Sequence, residues 1–531
     1  MANPEKQKAK EPEIIDTTGG PDSSDHESDS DGEQHGQAGV AGESSVPSTS
    51  NSSKKKKKKK SKAKKLLPND GIPQAVVDQV LDKVKAEGGP ASLEVNAENV
   101  REALKQMRIM DVVQGKAGIG GLNKKDMGEH KFWATQPVPQ VGEGPAVEDG
   151  YIEPSKPCEE VRQEPYPLPK DFEWSTLDMN DPAQTKEVYD LLSLNYIEDD
   201  HAAFRFQYSA EFLAWALKPP GYHKEWHVGV RVSSNKKLVA FISGVPLTLR
   251  VRKHVIDVSE INYLCVHKKL RSKRLAPVLI KEVTRQCHLK GVFQAIYTAG
   301  VVIPTPVSVC RYYHRLLNIP KLVNTRFCFV PRNMTLARMI RINKLPSATS
   351  IRGLREMEDK DIVAVTHLYT EYMKRFDMVP LFDIEEIRHQ FMSGRGEGED
   401  PENGKITDFF SFYSLPSTVI GNTVHPTLEA AYLFYYASTA GLGDAEDQDQ
   451  ILKNRLMALI GDAAIVANNA NFDVFNALTL MDNMPILQDL KFGLGDGFLN
   501  FYLYNWRTAQ LAGMIGEGGV PAGRGIGVVM L

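Results

Sequence analysis

The chain predicts an α/β fold, and three observations support this prediction. Strand-like runs separated by short turns follow one another over residues 226–266, which is typical of an antiparallel meander. A helical pattern at 277–290 and a strand-like run at 294–297 come next and make the predicted sheet a mixed one. A similar order restarts after Pro346. We therefore expect two related α/β units in tandem, with mixed, mostly antiparallel sheets.

Composition narrows the possible functions. The chain has 531 residues and a formal net charge of −3, so any charge effect on a partner must be local. Its five cysteines lack the spacing of a zinc site or a disulfide framework, which predicts reduced thiols, no metal and a cytoplasmic setting. No apolar run approaches the roughly 20 residues of a transmembrane helix. We expect a monomer without a transmembrane segment.

The N-terminal region differs in composition from the rest. Residues 1–70 are predicted to form a disordered tail, because they cannot bury enough apolar surface to offset the ordering entropy. This tail holds a lysine-rich run that begins at Lys54 and ends at Lys65. The run has two open interpretations: a solubilising or localisation segment, and an electrostatic tether to an acidic polymer. Residues 71–129 predict an accessory helical segment, followed by folded units at 130–335 and 336–531.

A basic turn stands between the last strand of the meander and the helix. Pro277 suits the first turn of that helix, where a missing N–H has no cost. Cations beside the free backbone N–H groups at the start of a helix can bind phosphate, so this turn is predicted to be a phosphate site. The alternative interpretation of the turn is a solvated basic loop. Five of the seven residues from 268 to 274 are cationic: Lys268, Lys269, Arg271, Lys273 and Arg274.

This turn is part of a longer motif. Residues 260–268 read Glu-Ile-Asn-Tyr-Leu-Cys-Val-His-Lys, and residues 491–497 read Lys-Phe-Gly-Leu-Gly-Asp-Gly. Both resemble the signatures of the glycylpeptide N-tetradecanoyltransferases, or N-myristoyltransferases, with Tyr263 where the family usually has Phe. The resemblance covers roughly residues 131–531. It implies transfer of a C14 acyl group from myristoyl-CoA to the N-terminal glycine of nascent proteins, with no permanently bound cofactor.

The order of meander, basic turn, helix and parallel strand is similar to that of the GNAT acyltransferases, so we expect tandem GNAT-like halves. The glycine-rich turn of the acetyltransferases is absent, and residues 270–276 stand in its place. Two alternatives to myristoyl transfer stay open. One is a GNAT-like acetyltransferase, and the other is an inert scaffold that binds ribosomes through the lysine-rich run. Because the family acts on nascent chains, the resemblance makes ribosomal RNA the candidate partner of that run.

The resemblance also implies roles for individual residues in catalysis. The backbone N–H groups of Tyr263 and Leu264 would stabilise the oxyanion, and Asn262 and Thr298 would hold the glycine amine. The terminal carboxylate of Leu531 would act as the base, which agrees with an apolar tail at 525–531 that suggests burial. No Ser-His-Asp, metal-ligand or P-loop constellation competes, so we expect direct attack without a covalent intermediate.

Asp496, with Asp199 and Asp200, predicts by charge complementarity a preference for peptides with a downstream cation, and a cap of the glycine-rich turn is the alternative role of Asp496. The resemblance also implies two groups of residues that contact the substrates. Acyl-CoA would contact His130, Lys131, Phe132, Trp133, Leu264, Cys265, Val266, Arg271, Ser272, Lys273, Arg274, Leu275 and Ala276. The acceptor peptide would contact Tyr196, Asp199, Asp200, Phe204, Phe206, Tyr208, His314 and Asp496.

Overall fold

The computed structural model describes residues 130–140, 143, 146–197, 203–271, 273–392, 405–512 and 525–531. The predicted tail with its lysine-rich run, and the predicted accessory segment at 71–129, lie outside the described residues. Within the described ranges, no helix has both the length and the hydropathy of a membrane span.

The strands are numbered along the chain. They are β1 (Phe172–Thr176), β2 (Phe204–Phe206), β3 (His227–Val232), β4 (Leu238–Val251), β5 (His254–Val266), β6 (Gln294–Ala299), β7 (Ser308–Leu316), β8 (Met378–Pro380), β9 (Asp408–Ser414), β10 (Ser417–Val419), β11 (Thr427–Leu428), β12 (Ala430–Ser438), β13 (Val474–Leu478) and β14 (Gly493–Tyr504). The α-helices are α1 (Pro182–Asn195), α2 (Ala210–Leu217), α3 (Leu275–His288), α4 (Ile319–Asn324), α5 (Leu336–Asn343), α6 (Ile362–Met373), α7 (Ile384–Phe391), α8 (Gln448–Asn469) and α9 (Met484–Leu487).

One large sheet runs through both predicted units. Its 11 strands include the path β1-β3-β4-β5-β6-β14-β7-β13-β12-β9, with β8 paired to β4. Within this sheet only the pairs β5 with β6 and β12 with β13 are parallel. A smaller sheet has the order β11-β10-β2. The predicted α/β class with mixed, mostly antiparallel pairing is confirmed.

The two parallel pairs show the tandem arrangement. In the first, β5 leads through α3 to β6, and in the second, β12 leads through α8 to β13. Each pair is then extended by an antiparallel strand from the other part of the chain: β14 lies beside β6, and β7 lies beside β13. The two units therefore exchange a strand in the middle of the sheet. The division at residue 335 stays a prediction.

At two places the sequence pattern indicates a structure that differs from the observed one. The pattern of residues 173–217 indicates helix and loop, yet this segment begins within β1, an edge strand on β3, and also contains β2. The side chains of β1 are mostly half-buried, so this strand lacks a clear apolar alternation. The pattern at 237–245 and 247–252 indicates two strands, but one continuous strand, β4, covers this region. Pro246 does not interrupt it, because β5 is the only neighbour of β4 at that position and the other side needs no N–H.

Candidate active site

A β-bulge in β5 is the centre of the site. Phe241 pairs with Cys265 and Ser243 pairs with Asn262, so two residues of β5, Tyr263 and Leu264, face one residue of β4. Tyr263 has a φ of 56°, the left-handed conformation that takes it out of the ladder. Its side chain is buried against Tyr208, with ring centroids 5.2 Å apart. The bulge therefore exists with tyrosine at this position.

A cavity of about 260 Å³ lies at the bulge. It is lined by the five residues for which catalytic roles were predicted: Asn262, Tyr263, Leu264, Thr298 and Leu531. These residues come from β5, from β6 and from the last position of the chain. The fold thus brings together groups that are up to 269 residues apart in the sequence, counted from Asn262 to Leu531.

One branch of the cavity runs between β5, β6 and α3. It is mainly apolar, with Ile261, Ile280, Val283, Cys287 and Phe293 in its wall. Burial raises the pKa of the Cys287 thiol to about 12, so this sulfur stays neutral at physiological pH. An apolar wall of this kind suits a saturated acyl chain.

The wall of the same cavity includes an aromatic stack. Trp133 lies flat on Tyr297, with ring centroids 5.4 Å apart and an interplanar angle of 6°, and Tyr297 stacks in turn on Tyr502. Phe132 contacts the edge of Trp133. One face of the predicted cofactor-binding tryptophan is therefore occupied by a protein ring.

The basic turn is tied to the C-terminal end of α1. The backbone N–H of Lys268 donates to Asn195 Oδ1 at 3.0 Å, and the Arg271 guanidinium donates to the Asn195 carbonyl at 2.6 Å. Lys273 and Arg274 are exposed where α3 begins, and Arg274 has a φ of 57°. Ser272 lies outside the described residues.

The other predicted cofactor residues differ in exposure. Lys131 is exposed, while Cys265 and Leu275 are buried. Burial raises the pKa of the Cys265 thiol to about 12, which argues against a nucleophilic role. Three more are partly buried: His130, Val266 and Ala276.

The second branch of the cavity is aromatic. Tyr196, Phe206 and Tyr208 line it, as predicted for a peptide groove. Burial raises the pKa of Tyr196 above its ordinary value, and a hydrogen bond from the Tyr263 backbone opposes that shift. Phe204 instead packs against Phe327, with ring centroids 5.8 Å apart.

His314 and Asp496 lie beside each other but not in the cavity wall. His314 Nδ1 is 2.7 Å from Asn476 Oδ1, and burial lowers the pKa of this histidine while Asp496 raises it. Asp496 is exposed in β14, at a register shift between Leu494 and Phe498. Asp199 and Asp200 lie outside the described residues, so their roles stay predictions.

The end of the chain is firmly held. Gly525 and Gly527 exchange backbone hydrogen bonds of 3.0 and 2.8 Å with Met378 on β8. The Val529 N–H donates to the Tyr435 hydroxyl at 2.9 Å. A Cβ on Gly527 would come within 2.8 Å of Val379, so a glycine is needed for this close approach. In the part of the chain that the structure describes, no cation forms an ion pair with the Leu531 carboxylate.

Comparison with known proteins agrees with this geometry. The family of myristoyl-CoA:protein N-myristoyltransferases matches with its N-terminal domain at residues 151–310 and its C-terminal domain at 324–529. The chain belongs to the N-myristoyltransferase family. The predicted family is thus confirmed, and with it the class of acyltransferases.

Similar members of the family span most of the chain. The glycylpeptide N-tetradecanoyltransferase of Emericella nidulans is 53% identical over 448 residues, which cover 81% of this chain and 89% of that protein. The one of Schizosaccharomyces pombe is 48% identical over 428 residues, or 78% and 91% of the two chains. A crystal structure of Saccharomyces cerevisiae N-myristoyltransferase with bound myristoyl-CoA has a TM-score of 0.72 and 47% identity, and it covers 76% of this chain and 99% of that chain.

Sequence reasoning missed several lining residues of this N-myristoyltransferase fold. Tyr413 and Tyr432 of the C-terminal part stack across β9 and β12, with ring centroids 5.4 Å apart, and both line the cavity together with Tyr312 of β7. The sequence shows the aromatic residues of β9 and β12, but it does not show which of them face the cavity. Over the described ranges, no group of three His, Cys, Asp or Glu side chains is arranged to hold a metal.

Proposed function

We propose that the chain transfers a tetradecanoyl group from myristoyl-CoA to the N-terminal glycine of acceptor proteins. One observation carries the proposal: a single cavity joins the β5 bulge to Asn262, Thr298 and Leu531. The same cavity extends into an apolar branch on one side and an aromatic branch on the other. An acyl donor and a peptide acceptor can therefore meet at the bulge.

The donor is placed by the apolar branch and the basic turn. The acyl chain occupies the space between β5, β6 and α3, and the phosphates of CoA bind at the start of α3. Lys273 and Arg274 are exposed there, next to the N-terminal end of a helix dipole. Trp133 closes this side of the cavity. CoA is a substrate in this scheme and leaves after each turnover.

The reaction is a direct attack of the glycine amine on the thioester carbonyl. The Tyr263 and Leu264 backbone N–H groups at the bulge stabilise the oxyanion, and the Tyr263 N–H exchanges its hydrogen bond with Tyr196 for one with the thioester oxygen. Asn262 and Thr298 orient the amine, and the Leu531 carboxylate removes its proton. An α-amino group titrates near ~7.7–8.0, so a carboxylate needs only a modest shift to deprotonate it at neutral pH.

The acceptor peptide leaves the active site through the aromatic branch. Tyr196, Phe206 and Tyr208 contact its first residues, and His314 and Asp496 lie further out. An exposed carboxylate at Asp496 favours a downstream cation in the peptide by charge complementarity.

A panel of acyl-CoA donors tests the reaction. The purified chain is given acetyl-, decanoyl-, tetradecanoyl- and hexadecanoyl-CoA with one peptide that begins with glycine, and the acylated peptide is measured by mass spectrometry. We expect the highest kcat/KM with tetradecanoyl-CoA and no product from a peptide that begins with alanine. Faster acetyl transfer would favour the GNAT-like acetyltransferase, and absence of any turnover would favour the inert scaffold.

We also propose a monomeric, cytoplasmic enzyme that meets nascent chains on the ribosome. All five cysteines are free thiols, which agrees with a reducing compartment. The lysine-rich run from Lys54 to Lys65 would bind ribosomal RNA through phosphates. Co-sedimentation of the chain with ribosomes should then fall steeply with salt and disappear when residues 54–65 are deleted. Equal co-sedimentation of the shortened chain would refute binding through the lysine-rich run.

A further inference from the structure

Glu260, the first residue of the β5 signature, has no role in the scheme above. Its Oε1 accepts a hydrogen bond of 2.7 Å from the Asn262 side-chain amide. The same carboxylate lines a second, small cavity of about 30 Å³, which also reaches Leu531. Leu531 thus belongs to the walls of both cavities, whereas Glu260 lines the small cavity and not the cavity at the bulge.

The small cavity has a polar part. Glu386 and Gln390 of α7 line it, and the buried Gln390 Oε1 has no hydrogen-bond partner among the described residues. A single water needs roughly 10–15 Å³ and two to four polar partners, so this space can hold one or two waters between the carboxylates. No Lys or Arg is among the described lining residues. The titratable groups that face Glu260 are Glu386, the Tyr263 and Tyr435 phenols and the chain terminus.

The proposed reaction leaves one proton to be removed. Glycine enters as an ammonium with three N–H bonds and leaves as an amide with one, so it loses two protons while a C–N bond forms and a C–S bond breaks. The departing CoA thiolate takes one proton. The second must leave the site before the Leu531 carboxylate can act again.

We propose that Glu260 is a positioning residue that orients Asn262 and accepts this second proton from the Leu531 carboxylate through the small cavity. The inference rests on the proposed acyl transfer. Burial raises the pKa of Glu260 to about 7, while its hydrogen bond with Asn262 lowers it, so near neutral pH this carboxylate can both take and release a proton.

The test compares kcat between the full-length chain and its Glu260→Gln variant from pH 5.5 to 9, with tetradecanoyl-CoA and a glycine peptide both saturating. Glutamine keeps the acceptor for Asn262 but cannot hold the proton. We expect kcat to fall at least tenfold at pH 8, while the KM values stay within twofold. At pH 5.5, where Glu260 itself is protonated, the two rates should converge. Glu260→Asp keeps a carboxylate at this position. Its kcat should therefore exceed that of Glu260→Gln at pH 8 and approach it at pH 5.5.

Glu385→Gln is the matched control, because it removes an exposed carboxylate of the same helix α7 that does not line the small cavity. We expect less than a twofold change in kcat. A ratio of wild-type to Glu260→Gln rates that does not change with pH, or an equal loss in Glu385→Gln, would overturn the proposal. If Glu260→Gln does not fold, a wild-type kcat without an inflection near pH 7 would also overturn it. Absence of turnover in the wild type would instead refute the proposed function itself.

Discussion

The role proposed for Tyr263 depends on its backbone and not on its side chain. A left-handed φ at a bulky residue costs roughly 1–3 kcal/mol and persists only where the surroundings enforce it. Here the ring is clamped by Tyr196 and Tyr208 in a buried aromatic cluster. The replacement of the family's usual phenylalanine is tolerated, since either ring can fill this cluster.

The Tyr263 hydroxyl is buried without a hydrogen-bond partner among the described residues. An unsatisfied buried polar group costs about 1–3 kcal/mol. We therefore expect Tyr263→Phe to raise the free energy of unfolding by about 1 kcal/mol and to keep kcat within twofold. Denaturant unfolding with a parallel activity assay measures both quantities. A large loss of kcat would mean that the hydroxyl itself takes part in the reaction.

For Leu531, chain length should matter more than side-chain identity. Deleting this residue retracts the carboxylate by up to ~3.5 Å along an extended chain, beyond the ~2.6–3.2 Å reach of proton transfer. We expect Leu531→Gln to keep most of the activity. Deletion of Leu531, or a C-terminal tag, should lower kcat by at least about a hundredfold with acyl-CoA binding intact. Near-normal kcat in the tagged chain would place the base elsewhere.

Glu260 should also give the stability a pH dependence. Its folded-state pKa of about 7 exceeds the ordinary value of 4.5, so the folded chain keeps a proton that the unfolded chain releases between these pH values. The free energy of unfolding therefore falls as pH rises through this window, by up to about 3 kcal/mol. Glu260→Gln removes this loss. We expect the free energy of unfolding of the variant, minus that of the wild type, to be larger at pH 8 than at pH 5. An equal difference at both pH values would contradict the raised pKa of Glu260.

The strand β5, the basic turn and the helix α3 together supply most of the proposed donor site. The strand carries the bulge, the turn carries the cations, and the helix contributes one wall of the apolar branch. Asn195 at the end of α1 anchors the turn through two hydrogen bonds. Arg271 therefore has a structural contact as well as a predicted phosphate contact, whereas Lys273 is the cleaner probe of phosphate binding.

We expect Lys273→Ala to raise the KM for acyl-CoA about tenfold and to leave the KM for peptide unchanged. The reason is that one charge-assisted contact with phosphate contributes ~1.5–3 kcal/mol. Lys253→Ala, at an exposed lysine in the turn between β4 and β5, is the matched control. Steady-state kinetics with each substrate varied in turn measures both constants. An unchanged KM for acyl-CoA would leave only the solvated-loop interpretation.

At the scale of the whole molecule, strand exchange connects the two units. β14 lies between β6 and β7, and β7 in turn pairs with β13. Each unit alone would lack a central strand. The backbone N–H and C=O groups of the strands beside the gap would then be exposed without partners. The cavity likewise takes its donor wall from the first unit and Leu531 from the second.

This arrangement predicts that neither residues 130–335 nor residues 336–531 fold alone. Separately expressed, each should be insoluble or lack a cooperative thermal transition, because its sheet is incomplete. Expressed together, the two pieces should form a soluble complex with measurable acyl transfer. Circular dichroism and co-purification test this, and a cooperative transition in either isolated piece would contradict it.

Strand alternation and a run of cations before a helix were enough to predict the α/β class, and two contiguous motifs were enough to predict the family. The same motifs imply the catalytic roles that are predicted for residues of β5 and β6. These motifs are contiguous in the chain, so the local structure they form depends on short-range geometry. The apolar tail also indicated burial of the chain end, where residues 525–530 are buried and Leu531 is partly buried.

Only the tertiary structure decided which long-range partners complete the site. The aromatic wall of Tyr312, Tyr413 and Tyr432, the placement of Phe204 outside the cavity, and the second cavity between Glu260 and Leu531 depend on β2, β7, β9 and β12 and on the chain end. Local propensity does not specify which distant strand becomes a neighbour. That choice depends on how the whole set of apolar faces is buried together, which is why the strand exchange and the facing side of each aromatic residue became visible only in the folded chain.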